Sequence, residues 1–487
     1  MELVELLRVI EPSSIEGSAH LQIEGVESDS RLVREGFLYV AIPGRQHESN
    51  AFVHDAVERG ATAIVTERPM SGLREVAVIQ VADSRAALAS LVARFFGYPA
   101  EAMTLLGVTG TNGKTTTTHL IAQVLEAAGL KTGLIGTIQY RIGRRTISAT
   151  RTTPEPVELY RLLSEMRDTG CENVVMEVSS HAIDQKRIAG LPFKVAAFTN
   201  LSRDHLDYHE TTESYFETKA RFIRSVAERA DSSVVLNTDD ARIRSLAAGG
   251  LPLGSCIRYG LGPDTDVRAE EIQSSAEGSR CRVHTPWGSQ DLSVPLPGDF
   301  NLSNALAALA CCVLAGIPLD SVLAVLDRAT TVPGRMEEVS TERGFRVIVD
   351  YAHTDDALSN VLRTLKQLEH NRLILVFGCG GDRDPSKRPV MGGVASELAD
   401  HSIITSDNPR GEDPAAIIEQ IQTGFSETSA FESVEDRRTA IARAIGMAER
   451  GDIVLVAGKG HENFQDFGTR VAPFDDRAIA REILAGT

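Results

Sequence analysis

At 487 residues the chain is too long for a single hydrophobic core, and several domains are expected. A formal charge of −17 excludes a general nucleic-acid surface, which needs a basic face, and aromatic residues at 5% leave little material for base stacking. Six cysteines, at 171, 256, 281, 311, 312 and 379, include no C-x-x-C pair and no Cys/His array of zinc spacing, so they are expected as reduced, mostly buried thiols. The N-terminal Met1-Glu2-Leu3-Val4-Glu5 stretch lacks the basic region of a signal peptide. The longest uncharged apolar run, Ala305 to Leu319, contains a proline and is too short for a bilayer. The expectation is a cytoplasmic α/β protein without membrane insertion.

Residues 1–98 show apolar runs at Phe37–Ile42, Ala61–Val65 and Val76–Val81, with helical patterns at Phe52–Arg59 and Arg85–Phe96. This is the alternation of a small α/β domain. Its polar turns, Ser28-Asp29-Ser30-Arg31 and Pro43-Gly44-Arg45-Gln46-His47, read as connections. Gly97-Tyr98-Pro99 reads as a linker, since proline disfavours helix at the residue before it.

The second domain, 99–332, opens on a short apolar run at Thr104–Leu106. It continues through Gly107-Val108-Thr109-Gly110-Thr111-Asn112-Gly113-Lys114-Thr115-Thr116 into a helical pattern at His119–Leu125. In the order strand, loop, helix, the loop amides and the positive end of the helix dipole face one concavity, where phosphate oxygens can be held. Lys114 supplies a point charge and the Thr115 hydroxyl a ligand for Mg²⁺. The spacing departs from G-x-x-x-x-G-K-[ST], because Val108 stands five places before Gly113 and Gly107 comes one residue too early. Gly-Lys-Thr at a helix start still points to phosphate. Strands and helices then alternate at Gly133–Ile138, Pro156–Asp168, Asn173–Val178, Val195–Asn200, Ser214–Glu228 and Ser233–Asn237. That pattern predicts a mostly parallel sheet covered on both faces. Residues 255–295 alternate in short segments and predict a small antiparallel appendage, and Asn301–Ala315 an alanine-rich helix.

Thr331-Val332-Pro333-Gly334-Arg335 reads as a second linker, and the third domain, 333–487, restarts the alternation. Strands are expected at Phe345–Asp350, Leu373–Phe377, His401–Thr405 and Ile453–Ala457, and helices at Asp356–Leu368, Val390–Leu398, Pro414–Phe425 and Asp436–Met447. Gly378-Cys379-Gly380-Gly381 follows a strand, but Arg383 stands where the dinucleotide fingerprint needs glycine. The domain is therefore expected to be Rossmann-like without that fingerprint.

Two runs carry further chemistry. Glu177-Val178-Ser179-Ser180-His181 and Asn200-Leu201-Ser202-Arg203-Asp204-His205-Leu206-Asp207 each follow the C-terminal end of an expected strand, the edge of a parallel sheet where ligands bind. Glu177 and a neutral His205 are candidate Mg²⁺ ligands beside Thr115.

The phosphate loop, these two runs, Gly298-Asp299-Phe300-Asn301 and Pro333-Gly334-Arg335-Met336-Glu337 together resemble the Mur ligases of peptidoglycan synthesis, with spacing that runs through nearly the whole chain. Asp350-Tyr351-Ala352-His353-Thr354, Gly380-Gly381-Asp382-Arg383-Asp384, Asp407-Asn408-Pro409-Arg410 and Gly458-Lys459-Gly460-His461-Glu462 resemble the members that join UDP-N-acetylmuramoyl-L-alanyl-D-glutamate to a diamino acid. The resemblance implies ATP-driven amide formation through an acyl phosphate, in a cytoplasmic monomer. It implies that ATP is held by Gly110, Thr111, Asn112, Gly113, Lys114, Thr115, Thr116, Asn301, Arg335 and Asp350. Catalysis falls to Lys114, Glu177, His205 and Lys219, the last as a carbamate ligating Mg²⁺ together with Thr115, Glu177 and His205. The UDP-dipeptide falls to Ser30, Arg45, Gln46, His47, Thr152, Thr153, Ser179, Gln185 and Arg187. Arg383, Asp407, Asn408, Pro409, Arg410, Gly458 and Glu462 fall to meso-diaminopimelate.

The chain departs from the family at Glu48-Ser49-Asn50, where an Asp-Gly pair is usual, and at Arg151, where asparagine is frequent. It departs again at Asp355, where proline is usual, which is read as a changed helix start of little consequence. Three other readings remain: the same ligase using L-lysine, a folylpolyglutamate-synthetase-like ligase, and a nucleotide switch. Against the switch stand Lys219, His205 and Glu177, because a switch needs no second metal. Against the folyl ligase stand the N-terminal domain and the Asp-Asn-Pro-Arg stretch.

Overall fold

The computed structural model describes residues 1–44, 52–70, 72–73, 75–251, 256–339 and 341–486. Arg45, Gln46, His47 and the Glu48-Ser49-Asn50 departure lie outside the described residues. The chain forms two compact units. The first comprises Met1–Gly107, Gly129–Ala196 and Arg224–Ser232, and the second Val108–Ala128, Ala197–Ile223 and Ser233–Thr487.

The first unit contains a five-stranded sheet in the order Ser14–Glu16, Ala77–Gln80, Ala61–Thr66, Phe37–Val40, Gly25–Glu27. It is parallel except for its first strand. Val33, Tyr39, Val53, Ile64 and Val76 pack one core of this sheet. The expected Gly97–Pro99 linker is a left-handed Tyr98 (φ 51°) leading into a short 3₁₀ turn at Pro99–Ala102. The unit also holds Asn173–Glu177 paired in parallel with Thr132–Ile135. An antiparallel hairpin, Gln139–Ile142 with Arg145–Ser148, extends that pair. The helix Pro156–Asp168 has the expected bounds, with proline in its first turn and Val157, Leu159, Tyr160, Leu163 and Met166 buried.

In the second unit, Ser233–Asn237 pairs in parallel with Cys256–Gly260, and that strand with Val267–Ser275. Gly278–Thr285 and Gly288–Val294 then add on antiparallel. The expected antiparallel appendage is present, and Cys256–Gly260 joins it to the sheet. Strand Thr104–Thr109 carries the phosphate loop at its end, and helix Lys114–Ala127 follows the loop.

The C-terminal sheet has the order Glu337–Val339, Arg346–Asp350, Ile453–Ala457, Leu373–Phe377, His401–Ile404, Phe431–Ser433, parallel except at its first strand. Strands Leu373–Phe377 and Ile453–Ala457 are buried at every position. Leu373, Leu375 and Phe377 face one core with Leu358, Leu362 and Met391, whereas Ile374 and Val376 face a second with Ala440, Ile441 and Ile445. Period-two alternation between two apolar layers explains why these strands read as continuous hydrophobic runs. Thr354 caps the helix Asp355–Lys366 by accepting from Ala357 N, so aspartate in place of proline leaves a capped start. Among the described residues no helix is long and apolar enough to cross a membrane.

One ion pair underlies this sheet. Arg437 and Asp476, both fully buried, share two 2.8 Å hydrogen bonds, and Arg437 also donates to Ala457 O at 2.9 Å. Removing one partner strands a buried charge, so Asp476→Ala is expected to destabilise the C-terminal core by about 3 to 5 kcal/mol. A thermal melt of the variant should show a clearly lowered unfolding temperature, and an unchanged melt refutes it.

Candidate active site

The phosphate loop is fixed by close approach. A Cβ on Gly110 (φ +147°) would lie 1.9 Å from Thr199 Oγ1, and one on Gly113 (φ +83°) 2.2 Å from Asn304 Oδ1, so both positions require glycine. Asn200 braces the loop as a backbone would. Its Oδ1 accepts from Asn112 N at 2.9 Å, its Nδ2 donates to Asn112 O at 3.0 Å, and its carbonyl accepts from Thr111 N at 2.9 Å. This role was not read from the sequence, although Asn200 opens the run in which His205 was singled out. Thr111 Oγ1 and Ser202 exchange hydrogen bonds, and Thr116 is buried. Asn112 Nδ2 donates to Asp356 Oδ2 at 2.8 Å, joining the loop to the helix that follows Thr354.

Lys114 folds back over the loop and donates to Gly110 O at 2.9 Å and Thr111 O at 2.7 Å. Lys219, on the helix Thr212–Ala227, is fully buried and donates to the same Gly110 carbonyl at 2.9 Å, with its Nζ 4.6 Å from the Tyr215 ring centroid. Burial, with the Lys114 charge beside it, pushes the Lys219 ammonium well below its ordinary pKa, against the pull of Asp204. The structure thus brings two of the expected catalytic lysines onto one carbonyl.

Arg335 Nη2 donates to Thr115 Oγ1 at 3.2 Å, and its guanidinium lies 4.5 Å from the Tyr351 ring centroid. Asp350 is buried, and its two oxygens accept from Met336 N at 2.7 Å and Ala352 N at 2.8 Å. The carboxylate therefore clamps the start of the C-terminal domain, whatever else it holds. Asn301, also buried, donates to Pro297 O at 2.8 Å.

A cavity of about 150 Å³ in the second unit collects the other expected residues. His205 and Asp204 line it together with Arg383, Asp407, Asn408, Arg410, Gly458 and Glu462. Pro409 is the one member of the expected amino-acid set that does not line it. A Cβ on Gly381 would meet Pro409 O at 1.9 Å, so glycine there lets the two loops touch. His205 sits at φ 54°, its Nε2 3.4 Å from Asp204 Oδ2. Burial raises the Asp204 carboxyl, but His205, His353 and Lys387 outweigh it and hold the group down at about 2. His353 and Lys387 also line the cavity and were not singled out from the sequence.

In the first unit, Glu177 is fully buried and its carboxylate accepts from Thr137 N at 2.8 Å and Thr137 Oγ1 at 2.9 Å. Thr152 Oγ1 lies 3.1 Å from the same Thr137 hydroxyl. Thr153 donates to Glu177 O at 2.7 Å and accepts from Ser179 N at 3.1 Å, and Ser179 Oγ caps the helix Ser180–Asp184. Arg187, buried, donates to Thr153 O and to Gln185 Oε1. A separate cavity of about 760 Å³ in this unit is lined by Ser30 and Gln185 together with Asp29, Arg31, Arg85 and Glu155. Asp29 caps the short turn Ser30–Leu32, so the stretch read as a plain connection is a built turn at a cavity wall.

Among the described residues no group of three His, Cys, Asp or Glu has the arrangement of a metal site. In the second unit Thr115 offers hard oxygen and His205 an imidazole, donors that fit Mg²⁺ drawing most of its ligands from phosphate and water, and in the first unit Glu177 offers hard oxygen of the same kind.

The Mur ligase middle domain matches residues 108–312, and the Mur ligase, glutamate ligase domain residues 334–460. A UDP-N-acetylmuramoyl-L-alanyl-D-glutamate--2,6-diaminopimelate ligase of Geobacter metallireducens is 44% identical over 498 residues, covering 98% of this chain and 97% of its own. A ligase of the same name from Geobacillus kaustophilus is 45% identical, covering 99% of each. A solved structure of a ligase of that name has a TM-score of 0.70 at 32% identity, covering 100% of this chain and 99% of its own. Full-length relatives at this identity, with both domain matches, show that the chain belongs to the Mur ligase family.

Proposed function

We propose that the protein joins meso-diaminopimelate to UDP-N-acetylmuramoyl-L-alanyl-D-glutamate with hydrolysis of ATP, in the cytoplasmic synthesis of peptidoglycan precursors. The observation that carries this reading is the 150 Å³ cavity, in which His205 of the loop after Phe193–Phe198 meets Arg383, Arg410, Asp407 and Glu462. Its lining combines cations that suit a carboxylate with anions that suit an ammonium. The full-length relatives carry the name of this ligase. We assign 1–98 to the UDP-substrate domain, 99–332 to the ATP domain and 333–487 to the amino-acid domain.

An amine does not displace oxide from a carboxylate at useful rates. The γ-phosphoryl of ATP therefore moves first to the D-glutamyl side-chain carboxylate. The diamino acid's amine then attacks that carbonyl, the C–N bond forms, the C–O bond to phosphorus breaks, and phosphate leaves. The loop amides and Lys114 hold and neutralise the phosphates, so transfer depends on position and charge. Thr115, Glu177, His205 and a carbamylated Lys219 would hold Mg²⁺, which would supply further neutralisation of charge on the transferring phosphoryl group. Arg335, stacked on Tyr351 and bonded to Thr115, positions the nucleotide.

The test measures ADP release with all three substrates and with each left out. Release that requires both the UDP-dipeptide and meso-diaminopimelate is expected. Release that needs neither, as a nucleotide switch would show, or that needs a folate in place of the UDP-dipeptide, refutes the proposal.

A further inference from the structure

We propose that Lys459 is the positioning residue of the amino-acid site. It fixes Glu462 and Asp407 as charged acceptors for the far ammonium of the diamino acid, and the inference rests on the reaction proposed above. Lys459 is fully buried, and its ammonium donates to Asn408 Oδ1 at 2.9 Å and to Glu462 Oε2 at 2.9 Å, while lying 5.5 Å from the Phe464 ring centroid. Asn408 closes the triangle. Its Nδ2 donates to the same Glu462 Oε2 at 2.9 Å, and its Oδ1 also accepts from Asp466 N at 3.0 Å.

Two carboxylate oxygens are left with open lone pairs. Among the described residues Glu462 Oε1 has only a long 3.5 Å contact from the Tyr351 hydroxyl. Asp407 Oδ1 accepts from Asn408 N at 2.7 Å, but its buried Oδ2 has no partner among the described residues. Both residues line the cavity. A buried acceptor without a donor is costly, so a ligand group is the natural partner. A buried carboxyl that takes up a proton no longer attracts an ammonium. Lys459 opposes this with a fixed ammonium bonded to Glu462 and Asn408. Burial raises the Asp407 carboxyl, yet Lys459 and Arg437 hold it below its ordinary value. Lys459 makes its own contacts inside the protein, so it acts through Glu462, Asn408 and Asp407 and not on the substrate.

The inference separates recognition of the far amine from recognition of the far carboxylate. The probe is 2-aminopimelate, which keeps the carbon chain and both carboxylates of meso-diaminopimelate but lacks the far amine. Wild type is expected to prefer meso-diaminopimelate. In Lys459→Met that preference should fall by about tenfold or more, through KM. KM for ATP and for the UDP-dipeptide should change by less than about twofold, and the preference for meso-diaminopimelate over L-lysine should persist. A folded Lys459→Met that keeps the wild-type preference over 2-aminopimelate overturns the inference, as does an equal rise of KM for all three substrates. If Lys459→Met does not fold, Lys459→Gln, which is neutral but can still donate to Glu462, must show the same fall, and a retained preference overturns the role of the charge. A wild type that does not use meso-diaminopimelate at all refutes the proposed reaction instead, and this inference with it.

Discussion

Lys219→Ala is expected to lower kcat by about a hundredfold or more, the scale of losing one electrostatic group at a phosphoryl-transfer centre. A short carboxylic acid added to the assay should restore part of the loss. The physical case starts from burial. A buried lysine that donates to a backbone carbonyl it shares with Lys114 holds its proton weakly, because burial and the Lys114 charge outweigh the pull of Asp204. A neutral amine is the form that adds carbon dioxide, so the environment that makes Lys219 a poor cation makes it a ready carbamate. The product is an anion near Lys114, where the charge balance improves rather than worsens. A surface lysine on an amphipathic helix would show none of this, being exposed and charged. Rescue separates the two accounts, because a small carboxylate can fill the space the side chain leaves and replace the lost oxygen ligands. Full activity of Lys219→Ala without additive refutes the carbamate role. Loss of activity without rescue by any small acid leaves only a packing role for the side chain.

The parts of the fold that were legible share one property. Their burial is local to the segment. Leu373–Phe377, Ser233–Asn237, Ile453–Ala457 and the helix Pro156–Asp168 have the bounds expected from their apolar pattern. What escaped was structure decided by a partner. Ser14–Glu16 is exposed along its length and is a strand only because it pairs with Ala77–Gln80. The hairpin Gln139–Ile142 with Arg145–Ser148, the edge strand Glu337–Val339 and the ribbon Phe464–Asp466 with Val471–Pro473 are also short, and cross-strand pairing creates them. The helices Leu319–Leu326 and Asp476–Gly486 were also not marked out.

The candidate site divides the same way. Residues that offer a reactive group at a strand end, such as Lys114, Glu177 and His205, could be read from type and position. Residues that hold them, such as Asn200 under the loop and Lys459 between Asn408 and Glu462, could not, because asparagine and lysine in a loop usually mean solvent. Lys459 reveals itself only by being buried, a fact of tertiary structure.

Arg410→Ala is expected to abolish most of the preference for meso-diaminopimelate over L-lysine, which in wild type should be at least about a hundredfold in kcat/KM. The competing account is that Arg410 merely pairs with Glu412 or Asp413 nearby in the chain. Glu412 is already held by Arg388 through two 2.8 Å hydrogen bonds, and Asp413 accepts from Ala415 N at the start of the helix Pro414–Gln422. Arg410 instead donates from Nη1 to Gly381 O at 2.7 Å, and its Nε lies 3.8 Å from Asp466 Oδ2, beyond hydrogen-bond reach. Its backbone sits at φ 50°, a left-handed conformation unusual for arginine, and a Cβ on Gly380 would come within 2.9 Å of Nη1. The side chain is thus aimed at the cavity wall with donor capacity in reserve. A carboxylate at the far end of the amino acid can engage that capacity in a charge-assisted, paired geometry. Lysine has an amine there but no carboxylate, and leaving the guanidinium without its anion costs on the order of a few kcal/mol. Removing the guanidinium should therefore weaken meso-diaminopimelate strongly and L-lysine little, bringing the two together. Measuring kcat/KM for both amino acids in wild type and Arg410→Ala decides it. A wild type that prefers L-lysine, or a ratio unchanged by the substitution, refutes the assignment of Arg410 to the far carboxylate.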